Sequence, residues 1–376
     1  LYALAPLRAL LPEHAEVLDG LDLGPALALT VEAGRAVAAL RDNDPGPARA
    51  LPWHAPEALR CHVPPPLLAE LALAAADAGD ADARAVLDEV PGLRRWLQRL
   101  ADRPGPLAPS AAARLAVLPA RPGYDVHVRM LGGLTVERTD GVAVDEARTG
   151  RTRVRQLLGA LVVRGRISRA ELAARLWPDL PAEKAAANLR ANLRHLQAAL
   201  QPDRPADEPP WFVQGAGDAI ALADEGITVD VHRFDDHVDR AVQAEGAGLP
   251  SVALVEYQAA LTEYHGDLLP GLDDAEVEVE RVRLASLAHA ARCRVGELVL
   301  ARGEPEAALR EAAAALRLEP LSERAHRLFV RAHLAVGSTA QARTVGRALV
   351  ATLAAEGLRP DDETAALLRR IQVDIT

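Results

Sequence analysis

Asp179 to Leu200 reads DLPAEKAAANLRANLRHLQAAL, and its periodicity governs how the flanking segments are interpreted. Leu189, Leu193, Leu196 and Leu200 recur at offsets of 4, 3 and 4, which sets them on one stripe of an α-helix. The opposite face carries Lys184, Ala187, Ala191, Arg194, His195 and Ala198, flanked by Asn188 and Arg190. One face requires a core. The other is flat, with small residues between a few long cationic or hydrogen-bonding ones. Such a face suits a helix that enters a DNA major groove. Small residues let the backbone approach, and Arg, Lys and Asn reach base edges and phosphates. An ordinary amphipathic helix with a solvated face has the same pattern and is common, so the neighbouring segments must decide.

Two more helices are expected just upstream. In RTRVRQLLGALVVRG, Val154, Leu157, Leu158, Leu161 and Val162 form an apolar stripe at helical spacing. The run Ser168-Arg169-Ala170-Glu171 is a capping box that opens a second helix, with Leu172, Leu176 and Trp177 as its apolar side and Pro178 as its stop. Three short helices, the last with a polar face, read as a helix-turn-helix variant. Strands flank the trio. Val126 to Met130 and Leu134 to Arg138 alternate, and Asp140-Gly141 is a hairpin-type turn before Val142-Ala143-Val144. Trp211-Phe212-Val213 and Ala219 to Leu222 bracket Gly215-Ala216-Gly217-Asp218, a second hairpin where a winged helix keeps its wing.

This order of strands, RVRQLLGALVVRGRISRAELAARLWPD, recognition-type helix and hairpin resembles the OmpR/PhoB-type winged-helix domain, and its wording is similar to that of the actinobacterial antibiotic regulatory proteins. Asp230 to Phe234 and the run GLRPDDETAALLRRI (Gly357 to Ile371) resemble the end of that family's bacterial transcriptional activator domain. The resemblance spans about 126–376 and rests on the order of several segments. The family's wing usually carries Gly-Tyr-Arg-Leu, where this chain has Gly217-Asp218-Ala219-Ile220 with no cation at the tip, and its third helix is usually more basic near its end. The resemblance implies binding to direct repeats near promoters and contact with RNA polymerase or a sigma factor. It also relates the chain to the C-terminal part of long regulators that carry an upstream nucleotide-binding module. The chain itself has no GxxxxGK[ST] motif, and it begins at Leu1 rather than Met, so a longer parent chain stays open.

The 376 residues suffice for two or three domains. The formal net charge of −10 runs against DNA binding, but from Arg151 to Arg204 eleven cations face four carboxylates, a local charge of +7. An acidic protein with one basic module fits a regulator whose other surfaces meet proteins, although basic runs are often only solvated faces. Lys184 is the sole lysine. Cys61 and Cys293 lack CxxC or metal-like spacing and read as reduced, partly buried thiols of a cytoplasmic protein. No apolar run reaches membrane-spanning length, so no membrane partner is expected. No HExxH or GxSxG is present, and His54, His62, His265 and His289 stand apart. No enzyme activity and no cofactor are expected. Trp177, Trp211 and Phe234 read as core pieces rather than stacking platforms, because their surroundings are apolar.

Upstream, the segment 1–123 reads as helical. Pro64-Pro65-Pro66 leads into a helix expected over Leu67 to Gly79, further helices are expected over Asp82 to Val90, Leu93 to Leu100 and Ser110 to Leu118, Ala26 to Val31 could form a strand, and Pro119 to Gly123 is a linker. Downstream, residues 231–376 repeat. Gly303 and Gly337 are 34 apart, as are Ala308 and Ala342, while Gly248, Ala253 and Ala260 keep the same internal spacing of 5 then 7. Gly296 and Pro320 fall where a tetratricopeptide repeat has its helix-A glycine and closing proline. A short α-solenoid of about three helix pairs follows. Its face either binds protein segments or packs on the winged helix. The acidic stretch Asp267 to Glu280 lacks EF-hand spacing and reads as a solvated loop and helix start, held away from DNA phosphates by repulsion.

The fold class is therefore mainly α with a small antiparallel β component: a helical segment (1–123), a winged helix (124–224) and a tetratricopeptide-like activator domain (231–376). The helix 182–200 is expected in the major groove of double-stranded DNA, with Lys184, Arg190, Arg194 and His195 on bases or phosphates and Asn188 assisting. Arg151, Arg153 and Arg155 are candidate backbone contacts. The rival is a scaffold that binds no DNA and uses both modules on protein partners, which the neutral wing and the acidity favour.

Overall fold

The computed structural model describes residues 25–56, 58–59, 63, 65–89, 94–117, 121–205, 208–216, 218–223 and 225–374. Their elements, in chain order, begin with α1 (Pro25–Arg41), α2 (Gly46–Arg49), α3 (Pro65–Asp77), α4 (Ala81–Glu89), α5 (Arg94–Asp102) and α6 (Ala108–Val117). Next come β1 (Val126–Arg129), β2 (Thr135–Arg138), α7 (Glu146–Thr149), α8 (Thr152–Arg164), β3 (Ile167–Ser168), α9 (Arg169–Leu176), α10 (Ala182–Leu200), β4 (Val213–Ala216), β5 (Ala219–Leu222) and β6 (Ile227–Val229). Helices α11 (Asp230–Gly246), α12 (Pro250–Glu263), α13 (Ala275–Ala301), α14 (Pro305–Leu318), α15 (Glu323–Ala335), α16 (Thr339–Ala355) and α17 (Asp362–Arg370) complete the order. The chain divides into two compact units. One holds the described residues up to 123 with 166–171 and 201–226. The other holds 124–165, 172–200 and the described residues from 227 onward.

In the first unit, α1 to α6 close on a core that includes Leu29, Ala33, Ala36, Val37, Leu68, Leu71, Leu87 and Leu97. The strand considered at Ala26 to Val31 is instead part of α1. Its buried positions Leu29, Ala33, Ala36 and Val37 recur at helical spacing, a period that a six-residue window cannot separate from a strand's. Cys61, His62 and Gly217 lie outside the described residues, as does part of the linker. The same unit holds a three-stranded sheet in the order β3-β5-β4. Its β4–β5 hairpin is antiparallel, from Val213 opposite Leu222 to Ala216 opposite Ala219, and is the hairpin expected as the wing.

In the second unit the sheet order is β2-β1-β6. β1 runs antiparallel to β2, as expected, but parallel to β6. Val142-Ala143-Val144 forms no strand, which corrects the expectation of one after the Asp140-Gly141 turn. Gly141 does turn, at φ 75°, but the Asp140 carboxylate takes the Val142 N–H (3.2 Å) and both Nε and Nη2 of Arg138 (3.0 and 2.5 Å), so the chain leads away from the ladder toward α7. Buried Asp230, at the start of α11, accepts from the N–H groups of Met130 and Leu131, both at 2.8 Å, and from its own neighbour Val231 at 2.8 Å. Burial pushes its pKa up against these three donors.

The repeat has the predicted anatomy. α11 with α12, α13 with α14 and α15 with α16 are antiparallel pairs, and α17 follows them. Gly248, Gly303 and Gly337 close the first helix of each pair with φ of 69°, 81° and 77°, a left-handed conformation that glycine adopts without penalty. Ala253, Ala260, Ala308, Ala315 and Ala342 are fully buried where the paired helices meet.

Candidate nucleic-acid interface

The amphipathic pattern of α10 is realised. Ala185, Leu189, Leu193, Leu196, Ala199 and Leu200 are buried, and α10 packs on α7 and α8, whose own stripe of Val154, Leu157, Leu158, Leu161 and Val162 is buried too. Tyr124 Oη donates to the Leu200 carbonyl at 3.1 Å and ties down the helix end. On the other face Lys184, Ala187, Arg190, Ala191 and Arg194 are exposed, and Asn188, His195 and Ala198 are half-buried. The side chains of Lys184, Arg190 and Arg194 make no ion pair or hydrogen bond with the described residues. They are long, exposed cations on a face of small residues. The Asn188 main-chain carbonyl accepts from Asn192 Nδ2 at 2.9 Å, and the Asn188 side-chain amide makes no hydrogen bond among the described residues.

The arginines at the start of α8 divide. Arg151 Nη1 lies 2.9 Å from His195 Nε2, so two residues singled out separately in sequence meet in space. The Arg153 guanidinium sits 5.6 Å from the Trp177 ring centroid and donates to Gln156 Oε1 at 2.8 Å. Trp177 is thus half-buried, not wholly in the core, and serves as a platform for an arginine. Arg155 is turned elsewhere. It is half-buried, its Nη2 donates to the Pro270 carbonyl at 2.9 Å, and its Nε is buried without a partner.

The acidic stretch is not simply solvated. Asp274 caps α13, its carboxylate accepting from the N–H groups of Glu276 and Val277 at 3.1 and 3.2 Å. Glu276 accepts from Arg164 Nε at 2.9 Å and also binds Arg175, whose Nη2 reaches Asp274 at 2.7 Å. The Arg164 hydrogen bond, assisted by Arg175 against a burial penalty, brings the Glu276 pKa down to about 2. Two arginines counted in the basic module are therefore neutralised within the protein.

Arg169, which the sequence marks only as part of the capping box, also reaches the hairpin. Its N–H donates to the Asp218 carbonyl at 2.7 Å in the turn of the β4–β5 hairpin. Its guanidinium lies across Gly215 so closely that a Cβ there would stand 2.5 Å from Nη2. The hairpin that has no cation in its own tip sequence thus carries one from the start of α9, where Ser168 Oγ accepts from the Glu171 N–H at 3.0 Å as the capping box requires. Only the unusual Gly215, in place of a side-chain-bearing strand residue, hints at this in sequence. The residues read as structural are so: Trp211 and Phe234 are buried, and His289 bonds the Ala315 carbonyl and Ser322 Oγ at 3.1 and 2.9 Å. The Cys293 thiol beside it is pushed up to about 11 by burial, so it is not a reactive thiol.

Residues 229–372 match the bacterial transcriptional activator domain family, a range that begins at the last residue of β6 and takes in all of α11 to α17. Among solved structures the chain is similar to Mycobacterium tuberculosis EmbR, determined in complex with a low-affinity phosphopeptide, with a TM-score of 0.55 and 25% identity. That match covers 67% of this chain and 66% of the other, just under two thirds of its length. No curated protein matches the chain in sequence. The two matches support a transcriptional regulator similar to the actinobacterial antibiotic-regulatory-protein type, with an activator domain at 229–372. No helix among the described residues is long and apolar enough to cross a membrane.

Proposed function

We propose that the protein is a sequence-specific DNA-binding activator of transcription. Helix α10 enters the major groove of promoter DNA, and the activator domain contacts RNA polymerase or a sigma factor. The winged helix spans 124–224, with the helical segment 1–123 before it and the activator domain 231–376 after it. The observation that carries the reading is the exposed trio Lys184, Arg190 and Arg194, without ion pair or hydrogen bond among the described residues, on the small-residue face of a helix whose other face is buried. Arg190 and Arg194 suit base edges because the planar guanidinium matches guanine bidentately, and Lys184 suits phosphate as a point charge. Asn188 assists at a base. Arg151 and Arg153 lie on the phosphate backbone, and Arg155 stands outside the interface. The protein works in the cytoplasm. The scaffold reading retains one specific support: Arg155, Arg164 and Arg175 have internal partners, which lowers the cationic surface left for DNA.

A gel-shift series with the whole chain on duplex DNA, from low to physiological salt, separates the two readings. A DNA regulator binds at low salt and releases steeply as salt rises. A scaffold leaves the duplex unshifted throughout, and RNA polymerase holoenzyme then fails to join any protein–DNA complex.

A further inference from the structure

We infer that His195 is a positioning residue for Arg151, holding it for the phosphate backbone, rather than a DNA contact in its own right. The inference rests on the DNA-binding reading of α10. Arg151 precedes α8 in an extended conformation (φ −62°, ψ 130°), and its side chain caps nothing. It is exposed, so on its own it would sample many rotamers. Instead Nη1 meets His195 Nε2 at 2.9 Å. A guanidinium can only donate, so in this contact Nε2 is the acceptor. With Nε2 occupied by Arg151, His195 has no N–H at that atom to offer a phosphate. Its use is to fix the arginine, which keeps its remaining N–H groups for a bidentate phosphate contact.

Arg153 is restrained in a parallel way, by the Trp177 ring and Gln156. Arg153 is thereby oriented by Trp177 and by Gln156 of its own helix, and Arg151 by α10 itself. The helix that reads the groove sets the direction of a backbone contact, so groove and backbone are engaged in one register.

The test uses the whole chain in four variants, Arg151→Ala, His195→Ala, His195→Gln and the Arg151→Ala/His195→Ala double. Each is titrated on a preferred duplex and on an unrelated one. Either alanine variant should weaken both duplexes about equally, by about three- to tenfold. The double should bind no more weakly than Arg151→Ala. Glutamine, whose side-chain oxygen accepts, should restore most of the loss. A change of base preference in His195→Ala, or losses that multiply in the double, would make His195 a direct contact and overturn the inference. A second arm needs no DNA: side-chain nitrogen NMR should find the Arg151 guanidinium restrained in wild type and in His195→Gln, and mobile in His195→Ala. A mobile Arg151 in wild type overturns the inference whatever the duplex does. A restrained Arg151 in a chain that binds no duplex at low salt contradicts the DNA reading, and with it the role given to the contact, while leaving the contact itself in place.

Discussion

Lys184 stands in the first turns of α10 with nothing to hold it, which makes it the simplest test of charge without structure. Lys184→Ala should weaken binding about equally on every sequence and flatten the dependence of log affinity on log salt by roughly one unit. The melting temperature should stay within a few degrees, since the side chain is exposed. A loss confined to one sequence would place the lysine on a base instead. At this scale the leucine stripe of α10 was readable because burial follows a local period, and all four leucines are buried. The fate of the arginines was not. Arg164 and Arg175 find Glu276 across 112 and 101 positions of sequence, and no local pattern marks an ion pair that distant. The pairing of Arg151 with His195, 44 positions apart, was hidden for the same reason, though both residues were singled out for their chemistry.

Among the elements, the solenoid was the most legible, because close helix crossings demand small residues at fixed spacing. Ala308 is fully buried, and at the neighbouring crossing a Cβ on Gly296 would come within 2.4 Å of Leu328 Cδ2. Ala308→Leu should overpack its contact and cost about 1–3 kcal/mol in thermal or denaturant melts. Ala351→Leu, on the exposed side of α16, should change stability by no more than about 0.5 kcal/mol. Equal effects of the two would place Ala308 away from a crossing. The strands were less legible. The parallel pairing of β1 with β6 joins Val126 to Ile227, and parallel neighbours leave no turn signal between them. The segment Val142 to Val144 has strand-like residues but loses its ladder donor to the Asp140 side chain, a competition between side chain and backbone that composition does not display.

Within the unit that holds both α8 and the activator domain, electrostatics joins the two. Arg164 and Arg175 grip Glu276, Arg155 reaches the Pro270 carbonyl, and Asp230 bonds the backbone after β1. The Glu276 pKa is depressed from 4.5 to about 2 in the folded state. Its ionised form is therefore favoured by folding, and the stability it contributes is present above about pH 4.5 and lost as pH falls toward 2. Wild type should melt above Glu276→Gln at pH 6, and the gap should narrow through that window. A gap unchanged at pH 3 would show that the arginines do not hold this carboxylate. The account's central claim concerns α10, and selection of bound sites from random duplexes, with the whole chain and with Arg194→Ala side by side, tests it most directly. Wild type should enrich a defined sequence. Arg194→Ala should bind that sequence more weakly by about 1–3 kcal/mol and relax the choice of base at one position, with its melting temperature unchanged. Enrichment of nothing by wild type, or the same sequence enriched with equal affinity by both, would contradict the placement of this helix in the groove.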